Sequence, residues 1–100
     1  MPVGRRLDQF FADREKFIAE KKAAYEQRVS EAAEKLISMI IQTAISEGYS
    51  TSVSFGLDTV NELMEGDHQG VCDMLNELVS LDDRISYIAG DRVYTFYLVK

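Results

Sequence analysis

Asp73 and Glu77 stand four residues apart in the run DHQGVCDMLNELVSLDD, so on a helix their carboxylates share one face and repel weakly. A soluble fold needs no such pair. With Gln69 a further turn back, it makes a surface suited to a basic partner. Other reactive groups are sparse. His68 is the only imidazole, and any histidine-dependent base or nucleophile would have to run through it. It follows Asp67, a helix-cap residue type, where the helix dipole disfavours its protonation, and it reads as a plain first-turn residue. Cys72 is the only thiol and is expected to be buried as a small hydrophobe. One cysteine and one histidine exclude both an intramolecular disulfide and a Cys/His zinc site. Asp82 and Asp83 would need ligands from elsewhere to hold a metal, and the glycines are scattered at turns instead of forming a phosphate loop. The expectation is a chain that is not an enzyme and has no cofactor or metal.

A second group of chemistry-bearing residues lies near the start. Residues 1 to 30 carry seven basic side chains against five acidic ones, a net of +2; residues 31 to 100 carry four against twelve, a net of −8. The chain is therefore dipolar, with a slightly basic arm and an acidic body. Overall charge is −6 and pI about 4.7, which disfavours non-specific nucleic-acid binding. The single cysteine suits a reducing compartment, charged residues interrupt any secretory signal, and no apolar run is long enough to span a membrane. A cytoplasmic protein without membrane attachment is expected.

The elements that position these groups follow from periodicity. No proline or glycine separates Gly4 from Gly48, and helix formers dominate, so one continuous or gently bent helix is expected from about Arg5 to Glu47, with Gly48 as its stop. The alternative is a break near Val29 to Glu31, with Ser30 capping a second helix. From Ala32 to Ile45 apolar residues cover more than half the circumference, which predicts packing on two sides. The first half is thinner. Leu7, Phe11, Ile18 and Tyr25 form one stripe, Phe10, Phe17 and Ala24 another, and Arg14, Lys21, Arg28 and Lys35 run between them. Two readings fit this seam: lysine and arginine stems lying over a packing surface, or an aromatic and basic face for an acidic partner. Glu15, Glu20 and Glu26 argue against anionic lipid. Leu7, Phe10, Phe11, Phe17, Ile18 and Tyr25 are the expected oligomerisation residues, and a homodimer is expected through them.

After Gly48, alternation predicts a strand over Thr51 to Phe55, then a helix from an Asp58 cap to Met64, closed by Gly66. Asp67 caps a further helix over His68 to Leu81, with Val71, Leu75, Leu78 and Val79 inward. A hairpin follows, Ile85 to Ala89 and Arg92 to Val99, with Gly90 and Asp91 as its two-residue loop. That register pairs Ala89 with Arg92, Tyr87 with Tyr94 and Ile85 with Phe96, placing Ile85, Tyr87, Tyr94, Phe96 and Leu98 on the core face. The other face carries Ile88, Val93, Tyr97 and Val99, too apolar for a purely solvated surface. It is either an interface or the place where the long helix folds back.

Residues 31 to 100, in the order helix, short strand, helix, helix, hairpin, resemble a winged helix-turn-helix domain. The fold class is therefore α+β, mainly helical: a winged-helix-like body at 31–100 and an N-terminal helical arm at 1–30. The resemblance implies a recognition-type helix at His68 to Leu81 whose outer side carries His68, Gln69, Asp73, Asn76, Glu77 and Ser80, with a wing tip at Gly90 to Arg92. DNA-binding members place basic and hydroxyl side chains there; this chain places acids.

The functional expectation is a non-enzymatic acidic adaptor or inhibitor. It would bind a basic or nucleic-acid-binding protein through Gln69, Asp73, Glu77, Ile88, Val93 and Tyr97. In size and charge it looks similar to virally encoded inhibitors, some of which mimic DNA with carboxylates. One alternative is a DNA-binding regulator using Arg5, Arg6, Arg14, Lys16, Lys21, Lys22 and Arg28 on phosphates. Another is a structural subunit of a larger assembly, anchored by its helix.

Overall fold

The computed structural model describes residues 3–100, with side chains from Arg5 onward. Helix α1 runs unbroken from Val3 to Ser46, as its lack of interior glycine and proline predicts. It ends where expected: Gly48 and Tyr49 both turn left-handed (φ 81° and 61°), and the Ser50 amide returns to the Ala44 carbonyl at 3.0 Å. Strand β1 (Ser52–Gly56) leads directly into α2 (Leu57–Glu62), followed by α3 (His68–Leu81), β2 (Ile85–Ala89) and β3 (Val93–Leu98). The sheet is antiparallel with β3 central, in the order β1-β3-β2. The result is α+β and mainly helical, loosely compatible with a winged-helix-like arrangement.

The core lies between one face of the sheet and the helices. Leu36 and Ile40 of α1, Met74 and Leu78 of α3, Val53, Phe96, Val60 and Met64 are its largest fully buried members. Phe96 sits at its centre, ring centroid 6.0 Å from Phe55 and 6.2 Å from Tyr87, edge-on to the first and tilted to the second. Sheet and helices cover only one side of α1. Ile41 and Ile45 are open, so the two-sided packing expected for Ala32 to Ile45 does not occur within the chain.

Three local expectations are corrected. Asp58 is not the cap of α2: the chain leaves β1 with no linker, Gly56 occupies the cap position, and the Leu57 amide bonds the Arg92 carbonyl at 3.1 Å. Asp58 falls in the first turn instead. On α3, Met74 replaces Val79 in the core, because the buried face is rotated towards Gly70 and Met74; Val79 is exposed. The hairpin register is displaced by two residues, so that Ile85 pairs with Leu98, Tyr87 with Phe96 and Ala89 with Tyr94. Gly90 and Val93 then close the ladder (Gly90 amide to Val93 carbonyl, 2.9 Å), leaving Asp91 and Arg92 as the turn. A side chain at position 90 would place its Cβ 3.0 Å from that backbone carbonyl, a tight contact, so close approach favours glycine here with no positive φ involved. A shift of two preserves the strand's alternation, and each residue keeps its predicted face.

The turn between α2 and α3 is also specific. Gly66 has φ 79° and its amide reaches the Asn61 carbonyl at 2.9 Å, while Asp67 caps α3 by accepting from the Gln69 amide at 3.1 Å, as predicted. No atom lies within 4 Å of the position a Cβ would take at Gly66. Gly66→Ala is therefore expected to lower stability by about 1–2 kcal/mol through backbone conformation alone. A urea titration tests it; an unchanged midpoint would show that the turn relaxes.

Candidate interaction surfaces

The body does not cover all of α1. From Arg5 to Ala24 every residue is exposed, and burial begins only at Tyr25 and Val29. This bare stretch is about 30 Å long at the helical rise. It gives the molecule extents of 70 × 26 × 18 Å and a radius of gyration of 19.1 Å, against about 13 Å for a compact chain of this length. Leu7, Phe10, Phe11, Phe17 and Ile18 are each 46–58% exposed, although their spacing is that of a packing seam. Phe10 and Phe11 meet edge to face with centroids 5.3 Å apart, and the Lys21 ammonium lies 5.5 Å over the Phe17 ring. Among the described residues nothing covers the seam, and α1 does not fold back over the sheet.

Tyr25, the sixth residue of the seam, belongs to the body. Its ring packs against the core, and its hydroxyl donates a hydrogen bond to the Asp73 carboxylate of α3. Asp73 also accepts from the Gln69 amide group at 3.1 Å. The expected free carboxylate pair is thus unequal: Asp73 ties α3 to the arm, and Glu77 carries no such bond. Between the two helices runs an open cleft of about 580 Å³. Its walls include Lys22, Glu26 and Val29 from α1 and Asp73, Asn76 and Glu77 from α3. The outer side of α3 therefore faces the base of its own arm.

The hydrogen bond to Asp73, helped by partial burial, pushes the Tyr25 phenol from its usual 10.0 up to about 12. The neutral phenol is the form the fold favours, so its contribution is complete below about pH 10 and lost as pH rises through about 12. Wild type is expected to lose stability relative to Tyr25→Phe across that window, read as converging urea midpoints. Parallel curves would show that the contact contributes nothing.

The outer sheet face is the second uncovered surface. Val93, Thr95 and Tyr97 run along β3, and Ile88 lies across from Thr95. Ile88 is 60% exposed, with Val93 and Tyr97 near 40%. Serines frame them, and Ser54 meets Thr95 through their hydroxyls at 3.1 Å. The structure brings Ile88, Val93 and Tyr97 together but on the side of the sheet away from the helices, remote from Asp73 and Glu77.

A third apolar surface escaped the sequence reading. Ile37 and Ile41 on α1 and Ile85, Leu98 and Val99 at the end of the sheet line a groove of about 360 Å³. Its signal in the sequence is the excess apolar width of Ala32 to Ile45.

The basic residues considered for phosphate contact do not form one track. Arg14, Lys21 and Arg28 share a helix face, whereas Arg5, Arg6 and Lys22 point elsewhere by helical periodicity. Lys22 lines the acidic cleft, and Arg28 lies 3.5 Å from Glu65. In the body, Asp82 receives Arg84 in a two-pronged pair at 2.9 and 2.8 Å, which holds the Asp82 carboxyl down at about 2. Asp82 therefore shapes the turn from α3 into β2. Cys72 is exposed, not buried, because it falls beside the core face of α3. Among the described residues no three His, Cys, Asp or Glu side chains converge to hold a metal, and no helix is long and apolar enough to cross a membrane. In comparison with known proteins, no family model, curated protein or solved structure matches this chain.

Proposed function

We propose that this chain is a non-enzymatic protein-interaction module, an adaptor or inhibitor built from a winged-helix-like body and a projecting docking helix. One observation carries the reading: about 20 residues of α1 stand clear of the body with an aromatic seam open to solvent. Most helical stability in proteins comes from packing of an amphipathic face, and large bare apolar stripes mark interfaces. The outer sheet face supplies a second contact area through Ile88, Val93 and Tyr97. The acidic body, net −8, disfavours phosphate and favours a basic protein surface.

The test has two parts. Fluorescence polarisation with random duplex DNA across a salt series is expected to show no binding; tight, steeply salt-dependent binding would instead make the chain a DNA-binding regulator. Affinity capture from the native cell with wild type and with the double variant Ile88→Ser and Tyr97→Ser is expected to lose a specific protein with the variant. Identical captured sets would remove the sheet face from the interface.

A further inference from the structure

We infer that the bare arms of two copies pair with each other antiparallel, each supplying the surface that the other's seam lacks. This rests on the arm being a docking element and adds its occupant, direction and register.

The first observation is continuity. By helical periodicity, Leu7, Phe11, Ile18 and Tyr25 lie on the same face of α1 as Val29, Leu36 and Ile40, the face that the body covers. The bare seam is thus an extension of an existing packing interface, left open beyond Tyr25, where α3 crosses α1. Another helix laid along it continues that interface.

The second observation is charge, which chooses the direction. Arg14 and Lys21 lie within the seam, flanked by Phe10 and Phe17 on one side and by Phe11 and Ile18 on the other. Two parallel arms in register would set Arg14 against Arg14 and Lys21 against Lys21, and would bring two bodies of net −8 side by side. Antiparallel arms set the bodies at opposite ends, separate the two Lys21 side chains by eleven residues and offset the two Arg14 side chains by three, about 4.5 Å along the axis. With Leu7 opposite Ala24 of the second copy, Arg14 faces its Phe17 and Phe10 faces its Lys21. Each cation then meets a ring, a pairing that Lys21 and Phe17 already make within one helix at 5.5 Å. The flanking Phe11 lies near Ile18 of the second copy, so the other stripe is covered as well.

The third observation is length. This register uses the whole bare segment and stops where each body begins. The two bodies then start about 30 Å apart along the paired arms, well beyond the Debye length of about 8 Å in physiological salt. Each arm's distal end, with Arg5 and Arg6, comes level with the other copy's cleft, whose walls carry Glu26, Asp73 and Glu77. Within one copy only the base of the arm meets the acidic body, through Lys22 and Arg28; the pairing brings the distal Arg5 and Arg6 to it as well.

Disulfide trapping tests the register in full-length protein carrying Cys72→Ser. Two variants are made, Leu7→Cys and Ala24→Cys, and oxidised separately and as an equimolar mixture. Covalent dimer is expected in the mixture and little in either variant alone. Each variant crosslinking only to itself would overturn the antiparallel arrangement. In unmodified protein, Arg14→Glu is expected to weaken self-association roughly tenfold or more, by replacing a ring-facing cation with an anion. A monomer by light scattering at high concentration overturns self-pairing outright. Capture with the double variant Phe10→Ser and Phe17→Ser separates that failure from failure of the broader reading. If the chain is monomeric and the variant loses a specific captured protein, the seam serves another partner; an unchanged captured set removes the arm from any interface.

Discussion

Phe96→Ala is expected to lower the stability of the fold by about 3–5 kcal/mol, as for other fully buried aromatics. Phe96 has no exposed surface, sits on the central strand, and touches Phe55, Tyr87 and Tyr94 with ring centroids 6.0–6.5 Å apart. Its removal opens a cavity that no neighbour can fill, because β1 and β2 both pair with β3. A small domain has only about 5–15 kcal/mol of net stability, so the variant is expected to populate unfolded chain at 37 °C. Ile88→Ser, on the opposite face and 60% exposed, is expected to stay within about 0.5 kcal/mol of wild type. Urea titrations of both variants decide the matter. Comparable losses in the two would mean that the outer sheet face is covered in solution.

The second large effect concerns association. The double variant Phe10→Ser and Phe17→Ser removes two rings from each arm, four from a pair of arms, and leaves the body untouched, since burial begins at Tyr25. Burying a phenylalanine side chain contributes roughly 1.5–3 kcal/mol, so even partial burial of four rings amounts to more than about 3 kcal/mol. Self-association is expected to weaken by over about a hundredfold, while the urea midpoint of the body stays within error. Sedimentation equilibrium and a urea titration on the same preparation measure the two quantities. Unchanged association would exclude the seam as the dimer contact. A shift in midpoint that is independent of protein concentration would show that the arm packs on its own body.

Much of the local structure was legible because short-range rules govern it. The absence of glycine and proline between positions 4 and 48 specified one long helix, and Gly48, Gly66 and Asp67 act at the ends for which their chemistry suits them. The hairpin faces survived a register error of two because alternation depends only on parity. The register itself was not legible. Gly90 resembles a turn glycine in sequence, whereas its actual constraint is the approach of the Val93 carbonyl from the opposite strand.

The candidate surfaces divide in the same way. Helical spacing alone marked the seam of Leu7, Phe10, Phe11, Phe17 and Ile18, and composition alone marked the acidic body. Neither could say whether the seam was covered. Amphipathicity records that a face can be buried, while its burial depends on where the other elements stop, and here they stop at Tyr25. Asp73 makes the same point at a single residue. Its spacing from Glu77 describes a charged face, but only the packing of α3 against α1 brings the Tyr25 hydroxyl to its carboxylate. The sequence by itself determined helix continuity, strand faces, helix ends and charge asymmetry, all set by interactions within a few residues. The tertiary structure decided which faces are covered, which acid is engaged and which apolar stripes remain bare, because those depend on contacts between residues far apart in the chain.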